Sequence, residues 1–375
     1  MNFELNDEQR ALQDTLQRFA QRDYGFERRR EILRSGGFSR EAWRALADIG
    51  VLALNVPEAQ GGLAGDGGSP IETLVAQQAL GAALVVEPVL SSAVVATSLI
   101  AELASAAQQA DCLPLLAAGE RIAVLAHFEP ASRFDDARIE ARAERRDGSV
   151  VLHGRKAVVT HAGVADELLV SALDGGGVSL FRVPCEATGL RIKPYPTFDG
   201  QQAAEVELNA VTVPAEALIG PAGAAQPAIE RALDFGLAAL CAEAVGVMDA
   251  TVAATVEYLQ TRQQFGQPIG RFQALQHRTA DMLIHLEQAR SMSLLAAARC
   301  RLADGRERRR ILSAAKVTIG QACRFIGQQA VQLHGGMGMA DELIVSHYFK
   351  RLTAIELTLG DTDTHLQRFV ALSTC

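Results

Sequence analysis

Several features that would announce a function are missing from this sequence. Six cysteines stand at 112, 185, 241, 300, 323 and 375, none in CxxC spacing and none beside a histidine. Zinc, iron–sulfur and disulfide frameworks are thereby excluded as expectations, no metal is predicted, and a reducing cytoplasm is the default compartment. No G-x-G-x-x-G or G-x-x-x-x-G-K-[ST] follows a strand-like run, so Rossmann and P-loop readings fail. The longest apolar stretch, 88–101, is too short to span a bilayer and carries serines and a threonine, so no membrane partner is predicted. The opening MNFELNDEQR has acids and polar residues in place of a secretory apolar segment. Positive charge is not in excess either. The net charge of −8 argues against a nucleic-acid partner. The arginine runs 28–30 and 308–310 sit in helical, Glu-containing sequence and are expected on solvated faces.

What is present is an ordinary globular balance, 49% hydrophobic and 21% charged, over 375 residues. That length exceeds what one hydrophobic core usually serves, so two or three domains are expected. The period of the apolar residues changes twice. From Asn6 to about Gly119 it is helical: Asn6 is a predicted N-cap, and Leu5, Leu12, Leu16 and Phe19 recur at helix spacing. EAWRALADIGVLAL reads as another helix, broken by the Gly- and Pro-rich NVPEAQGGLAGDGGSP, and Ser69-Pro70 with Glu72 restarts helix. From about Arg121 to Gly223 the period is two, with the segment 174–177 as a hairpin connection. After 221–227 helical spacing returns, with Leu233, Leu237, Leu240, Ala244 and Val247 on one stripe. Helices, then strands, then helices imply domains in series. The predicted fold is α+β: an N-terminal helical domain (1–120), a middle antiparallel β-barrel or sandwich (121–223) and a C-terminal four-helix bundle (224–375).

Three segments carry chemistry. Arg262-Gln263-Gln264-Phe265-Gly266, followed by Gln267-Pro268-Ile269-Gly270, places an arginine at a helix end before a tight turn. Judged alone it reads equally as a helix connection with a surface arginine. His334-Gly335-Gly336-Met337-Gly338 follows a helix, and its glycines let backbone N–H groups approach a ligand closely. A helix C-cap would use the same residues. Val56-Pro57-Glu58 with Gly61-Gly62 is the third, and individually weak.

In this order and at these separations the segments resemble the acyl-CoA dehydrogenase family, over essentially the whole chain. LNDEQ, WRALADIGVLAL, FEP at 128–130, GRKAVVT ending at Thr160 and VTVPAEALIG at 211–220 add to the resemblance. Within the family the chain resembles the small subunit of pimeloyl-CoA dehydrogenase, through CAEAVG (241–246), QARSM (288–292), HYFKRL (347–352) and GDTDTHL (360–366). The resemblance implies FAD as cofactor. Arg262 would reach the FAD pyrophosphate of a neighbouring subunit, a bidentate charge-assisted role suited to Arg. Phe265 would cover the adenosine side, with Gln264 in the same turn. Gln332 and Gly336 match the family's second FAD contact from the dimer mate. Thr160 matches the flavin contact of the middle domain, and Phe128 falls at a second such position. Three departures stand out: Val158 replaces the family's Trp, Phe128 its Thr before Glu-Pro, and Ala131-Ser132-Arg133-Phe134 its small-residue run.

The implied reaction is α,β-dehydrogenation of an acyl-CoA to trans-2-enoyl-CoA, with electrons passed to an electron-transfer flavoprotein. It needs a carboxylate base, hydrogen bonds to the thioester oxygen and a hydride acceptor. In the family a backbone N–H at the base and a flavin ribityl hydroxyl hold that oxygen. The family's base position falls on Asp361, which alone would read as a helix N-cap. An alternative family position falls on Gly236, which cannot act. Seven residues on, Glu243 lies on an apolar helix stripe, and reads either as the base or as half of an ion pair with an arginine of a neighbouring helix. The finer resemblance points to a dicarboxylyl-CoA such as pimeloyl-CoA and to a homo- or heterotetramer with a second chain of the same kind. The rival expectation is a non-catalytic partner subunit that completes FAD or substrate sites on another chain.

Overall fold

The computed structural model describes residues 4–65 and 68–374; Cys375 and part of the Gly-rich loop, at 66–67, lie outside them. The chain first runs through helices α1 (Asp7–Arg22), α2 (Phe26–Arg34), α3 (Arg40–Asp48), α4 (Pro70–Ala82), α5 (Thr97–Leu103) and α6 (Ala106–Ala117). Strands follow: β1 (Ala123–Ala126), β2 (Arg142–Arg146), β3 (Ser149–Thr160), β4 (Glu167–Asp174), β5 (Gly177–Pro184), β6 (Leu190–Pro196), β7 (Gln202–Pro214) and β8 (Leu218–Ile219). Helices α7 (Gln226–Thr261), α8 (Gln273–Arg299), α9 (Gly305–His334), α10 (Ile344–Leu357) and α11 (Thr362–Ser373) complete it. The order is the one expected: helices, a β-sheet region, helices.

Two compact units form. One comprises Met1–Glu31, Pro70–Val85 and Leu237–Cys375, the other Ile32–Ser69 and Val86–Gly236.

In the helical unit, α1 starts where the sequence says it should. Asn6 Oδ1 accepts from the Gln9 N–H at 2.8 Å and Gln9 returns a bond to the Asn6 N–H at 3.0 Å, a full capping box. Leu74, Val75, Ala242 and Ala297 pack into one apolar cluster, joined by Leu5, Leu12, Ile71 and Leu294. α4 and α7 approach at backbone distance because Gly81 and Gly246 face across the crossing; a Cβ on either would collide with the Glu243 or Gln78 carbonyl. α9 is the spine of the unit, packed against α8, α10 and α11. α7 is long and apolar enough to cross a membrane by length and composition, yet 78% of its most apolar window is buried inside the protein.

Two of the arginine-run residues correct the expectation of solvated faces. Arg29 is 1% exposed and donates to the Leu84 carbonyl and His347 Nδ1, and Arg308 is 4% exposed and donates to the Leu302 carbonyl. Each is drawn inward because a backbone carbonyl, invisible in the sequence, offers the guanidinium an acceptor.

In the other unit the strands form one sheet in the order β6-β7-β3-β2-β4-β5-β8, with β1 added beside β4. The pairings are antiparallel except β1 and β2 with β4, which run parallel. The hairpin expected at 174–177 is there: Asp174 pairs with Gly177 around Gly175 and Gly176, both at positive φ.

Candidate functional site

The end of α7 builds the first candidate surface. After Thr261 the chain turns sharply; Gln264 pairs with Gln267 across Phe265 and Gly266, which sit at φ 55° and 76°. Two successive positive φ values give the expected tight turn a type I′ geometry. The Ile269 N–H closes the loop on the Arg262 carbonyl at 2.9 Å. Arg262 and Gln264 are exposed, and Phe265 is 89% exposed. No described residue of this chain holds the Arg262 guanidinium.

One turn before Arg262, Tyr258 stacks on His334 with ring centroids 4.3 Å apart, and its hydroxyl donates to the His334 carbonyl at 3.4 Å. His334 donates from Nδ1 to the Ala330 carbonyl at 2.8 Å, and burial lowers its pKa, so the ring is neutral. The helix then stops at Gly335 (φ 61°), and a tight turn over Gly335–Met339 leaves Gln332, Gly336, Met337 and Met339 exposed. The stack thus brings Arg262, Gln264 and Phe265 to the same end of the unit as Gln332 and Gly336, although 70 residues separate Arg262 from Gln332. An exposed guanidinium, an exposed aromatic ring and a glycine turn without side chains in the way are a set that fits an anionic group joined to a heteroaromatic ring.

The sheet unit carries the other candidates. β3 is irregular between Lys156 and Val159, and there Val158 takes φ 52° and stands 60% exposed. Thr160 is exposed at the strand end, and the Phe128 carbonyl accepts from the Ala157 N–H at 2.8 Å, tying the two candidate positions together. Beneath them Lys156 is fully buried. Its ammonium donates to Glu129 Oε1 at 2.7 Å, to the His127 carbonyl at 3.1 Å and to Ser171 Oγ at 3.1 Å. Glu129 also accepts the Glu140 and Ala141 N–H groups. Ser171 passes its own proton toward His127 Nδ1, whose Nε2 donates to the Asp136 carbonyl. Burial, and then the Lys156 charge, push the His127 pKa down to about 4, and burial pushes Lys156 down to about 8. Glu129 of FEP and Lys156 of GRKAVVT thus form one buried ion pair, which the sequence signals only by a Lys inside an alternating apolar strand.

The two candidate carboxylates lie in the helical unit. Glu243 on α7 takes Arg351 Nε at 2.6 Å on Oε1 and Nη2 at 2.8 Å on Oε2, and both residues are buried. This is the neighbouring-helix ion pair, one of the two readings open for that position, and its halves stand in CAEAVG and HYFKRL. Asp361 is half-buried and is the N-cap of α11, accepting from the Thr364 N–H at 2.8 Å. Leu359 at φ 57° and Gly360 at φ 109° turn the chain into that cap. A Cβ on Gly360 would lie 2.7 Å from His365 Nε2, so the turn requires glycine. His365 is fully buried, donates from Nε2 to the Leu359 carbonyl at 3.0 Å, and has its pKa pushed down to about 3, first by burial and then by Lys316.

Comparison with known proteins places this arrangement. The family models "Acyl-CoA dehydrogenase, N-terminal domain" and "Acyl-CoA dehydrogenase, C-terminal domain" match residues 6–120 and 226–371. The chain is 29% identical to the probable acyl-CoA dehydrogenase YngJ of Bacillus subtilis (strain 168), over 99% of this chain and 98% of that protein. Among solved structures, a variant of the steroid ACAD Tcur3481-Tcur3483 superposes with a TM-score of 0.87 at 30% identity, covering 98% of this chain and 97% of that one. The ChsE4-ChsE5 complex from Mycobacterium tuberculosis gives 0.88 at 25% identity over 100% of both chains. This chain therefore belongs to the acyl-CoA dehydrogenase family of oxidoreductases.

Proposed function

We propose that the chain performs the FAD-dependent α,β-dehydrogenation of an acyl-CoA thioester to trans-2-enoyl-CoA within an oligomer, and that an electron-transfer flavoprotein receives the electrons. Acyl-CoA dehydrogenation and FAD follow from the family; the finer assignments are this proposal's. The carrying observation is that the Arg262 turn lies with Gln332 and Gly336 at one end of the helical unit, presented outward, with no partner for the guanidinium among the described residues. In this reading Arg262 holds the pyrophosphate of an FAD seated on a neighbouring copy, Phe265 covers its adenosine, and Thr160 and Phe128 meet the flavin of their own chain. The bound flavin supplies the hydride acceptor. Asp361 is the proposed base, since Glu243 is committed to Arg351 through both oxygens. The Asp361 N–H is the proposed backbone donor to the thioester oxygen. The resemblance of the segments 241–246 and 347–352 to the small subunit of pimeloyl-CoA dehydrogenase is what points to a dicarboxylyl-CoA substrate. The limits of the two family models support domains at 1–120, 121–223 and 224–375.

The purified assembly is expected to be yellow, with its flavin bleached by anaerobic acyl-CoA. Two observations favour a second reading, a partner subunit that lends a cofactor arm to another chain: Glu243 is paired, and the Asp361 carboxylate serves as a cap. A protein that stays colourless with added FAD, yet restores activity to a second chain, decides for that reading.

A further inference from the structure

Lys316 on α9 is fully buried, with no carboxylate at ion-pair distance among the described residues. Its three ammonium protons go to three main-chain carbonyls: Glu356 at 2.9 Å, Thr358 at 2.9 Å and Gly360 at 2.6 Å. Burying a cation that apolar atoms could replace in volume is expensive, and the last carbonyls of α10 only partly compensate it. The fully satisfied donor set shows what the charge does here. It pulls three carbonyls of one short segment to a single point, while His365 takes the carbonyl between them, that of Leu359, at 3.0 Å.

The consequence follows from peptide geometry. No peptide bond in the described chain is cis, and in a trans peptide the N–H points opposite the carbonyl. With the Gly360 carbonyl fixed on the Lys316 ammonium, the N–H of the same peptide, that of Asp361, is aimed directly away from it. The Thr358 carbonyl fixes the Leu359 N–H in the same sense. A cation on the carbonyl also polarises the peptide and strengthens its N–H as a donor.

We propose that Lys316 is a positioning residue for the dehydrogenation, fixing and polarising the Gly360–Asp361 peptide so that the Asp361 N–H meets the thioester oxygen as negative charge develops there. The inference rests on the reading above that the acyl thioester is bound at Asp361. Leu359, a non-glycine residue at φ 57°, is the strained position that the Lys316 and His365 contacts hold.

The test compares the FAD-loaded assembly carrying Lys316→Met, and a second carrying Lys316→Gln, which keeps an N–H donor without the charge. Two measurements are made: single-turnover flavin reduction at saturating acyl-CoA, and the infrared carbonyl stretch of a bound acyl-CoA with carbon-13 at the thioester and a quaternary β-carbon that cannot lose hydride. Reduction is expected to slow about 100-fold in Lys316→Met, the cost of a misaimed catalytic group, with FAD content unchanged. The carbonyl stretch is expected to move toward that of free thioester, in Lys316→Gln as well. A purely structural lysine would lower stability and leave the carbonyl stretch of the folded fraction where it is in wild type. Wild-type reduction rate and carbonyl stretch in whichever variant folds overturn the proposal. A wild-type assembly that acyl-CoA does not bleach overturns the reading itself, and this inference with it.

Discussion

Replacing Glu243 by glutamine separates a structural carboxylate from a catalytic one. The side chains of Glu243 and Arg351 are only 8% and 11% exposed, and two bonds of 2.6 and 2.8 Å join them. Removing one member of a buried pair costs about 3–5 kcal/mol, because the remaining charge stays in a poorly solvated site. Glutamine keeps one acceptor oxygen toward the guanidinium, so the lower end of that range, about 3 kcal/mol, applies. With a urea slope of about 2 kcal/mol per molar, the unfolding midpoint is expected to fall by about 1.5 M. A double-mutant cycle with Arg351→Met is expected to return a coupling of about 2 kcal/mol or more. Flavin reduction by acyl-CoA in the folded Glu243→Gln protein is expected to survive. An unmoved midpoint together with abolished reduction, FAD still bound, refutes the reasoning and makes Glu243 the base.

Arg262→Ala is expected to weaken FAD retention by about 1.5–3 kcal/mol, the worth of a charged hydrogen bond, while the thermal midpoint of the apoprotein stays put; a collapse of stability with unchanged FAD affinity makes the arginine structural. Asp361→Asn keeps a good N-cap and is expected to leave stability unchanged, Asp361→Ala to lose about 1 kcal/mol, and both to abolish single-turnover reduction; reduction in Asp361→Asn removes the base from that residue. His127 and His365 have folded pKa values of about 4 and about 3 against an ordinary 6.5. Below 6.5 the unfolded chain binds protons that the folded one does not, so stability is full above that pH. It is expected to fall as the pH drops toward 4, by up to about 1.4 kcal/mol per unit for each ring, read by urea titration at a series of pH values; a flat profile from pH 6.5 to 5 contradicts the buried neutral rings.

Legibility in the sequence tracked how local the physics was. The Asn6 cap, the Phe265-Gly266 turn and the 174–177 hairpin involve residues within a few positions of one another, and the sequence predicts all three. Asp361 as a cap is local too, which is why its bland reading was visible beside the sharp one. The Glu243–Arg351 pair spans 108 residues, so the sequence offered only an apolar stripe with a misplaced carboxylate, and two readings stood level. Lys156 and Glu129 are 27 residues apart, and nothing local to either points to the other. Arg29 and Arg308 were placed in solvent because composition registers charge but not a waiting carbonyl. The strand order, with β1 and β2 parallel to β4, and the wide π-helical turn over Val89–Ala96 leave no periodic trace.

The scattered cysteines acquire a use from their placement. Cys241 and Cys323 are sealed inside the helical unit and Cys112 inside the sheet unit, and burial pushes each thiol up to about 12. The thiolate is the form that attacks an alkylating reagent, so none of the three reacts until its surroundings come apart. The native chain therefore carries two stopwatches. A pulse of maleimide, followed by mass spectrometry to tell which cysteine was caught, times the opening of each unit without a single engineered label.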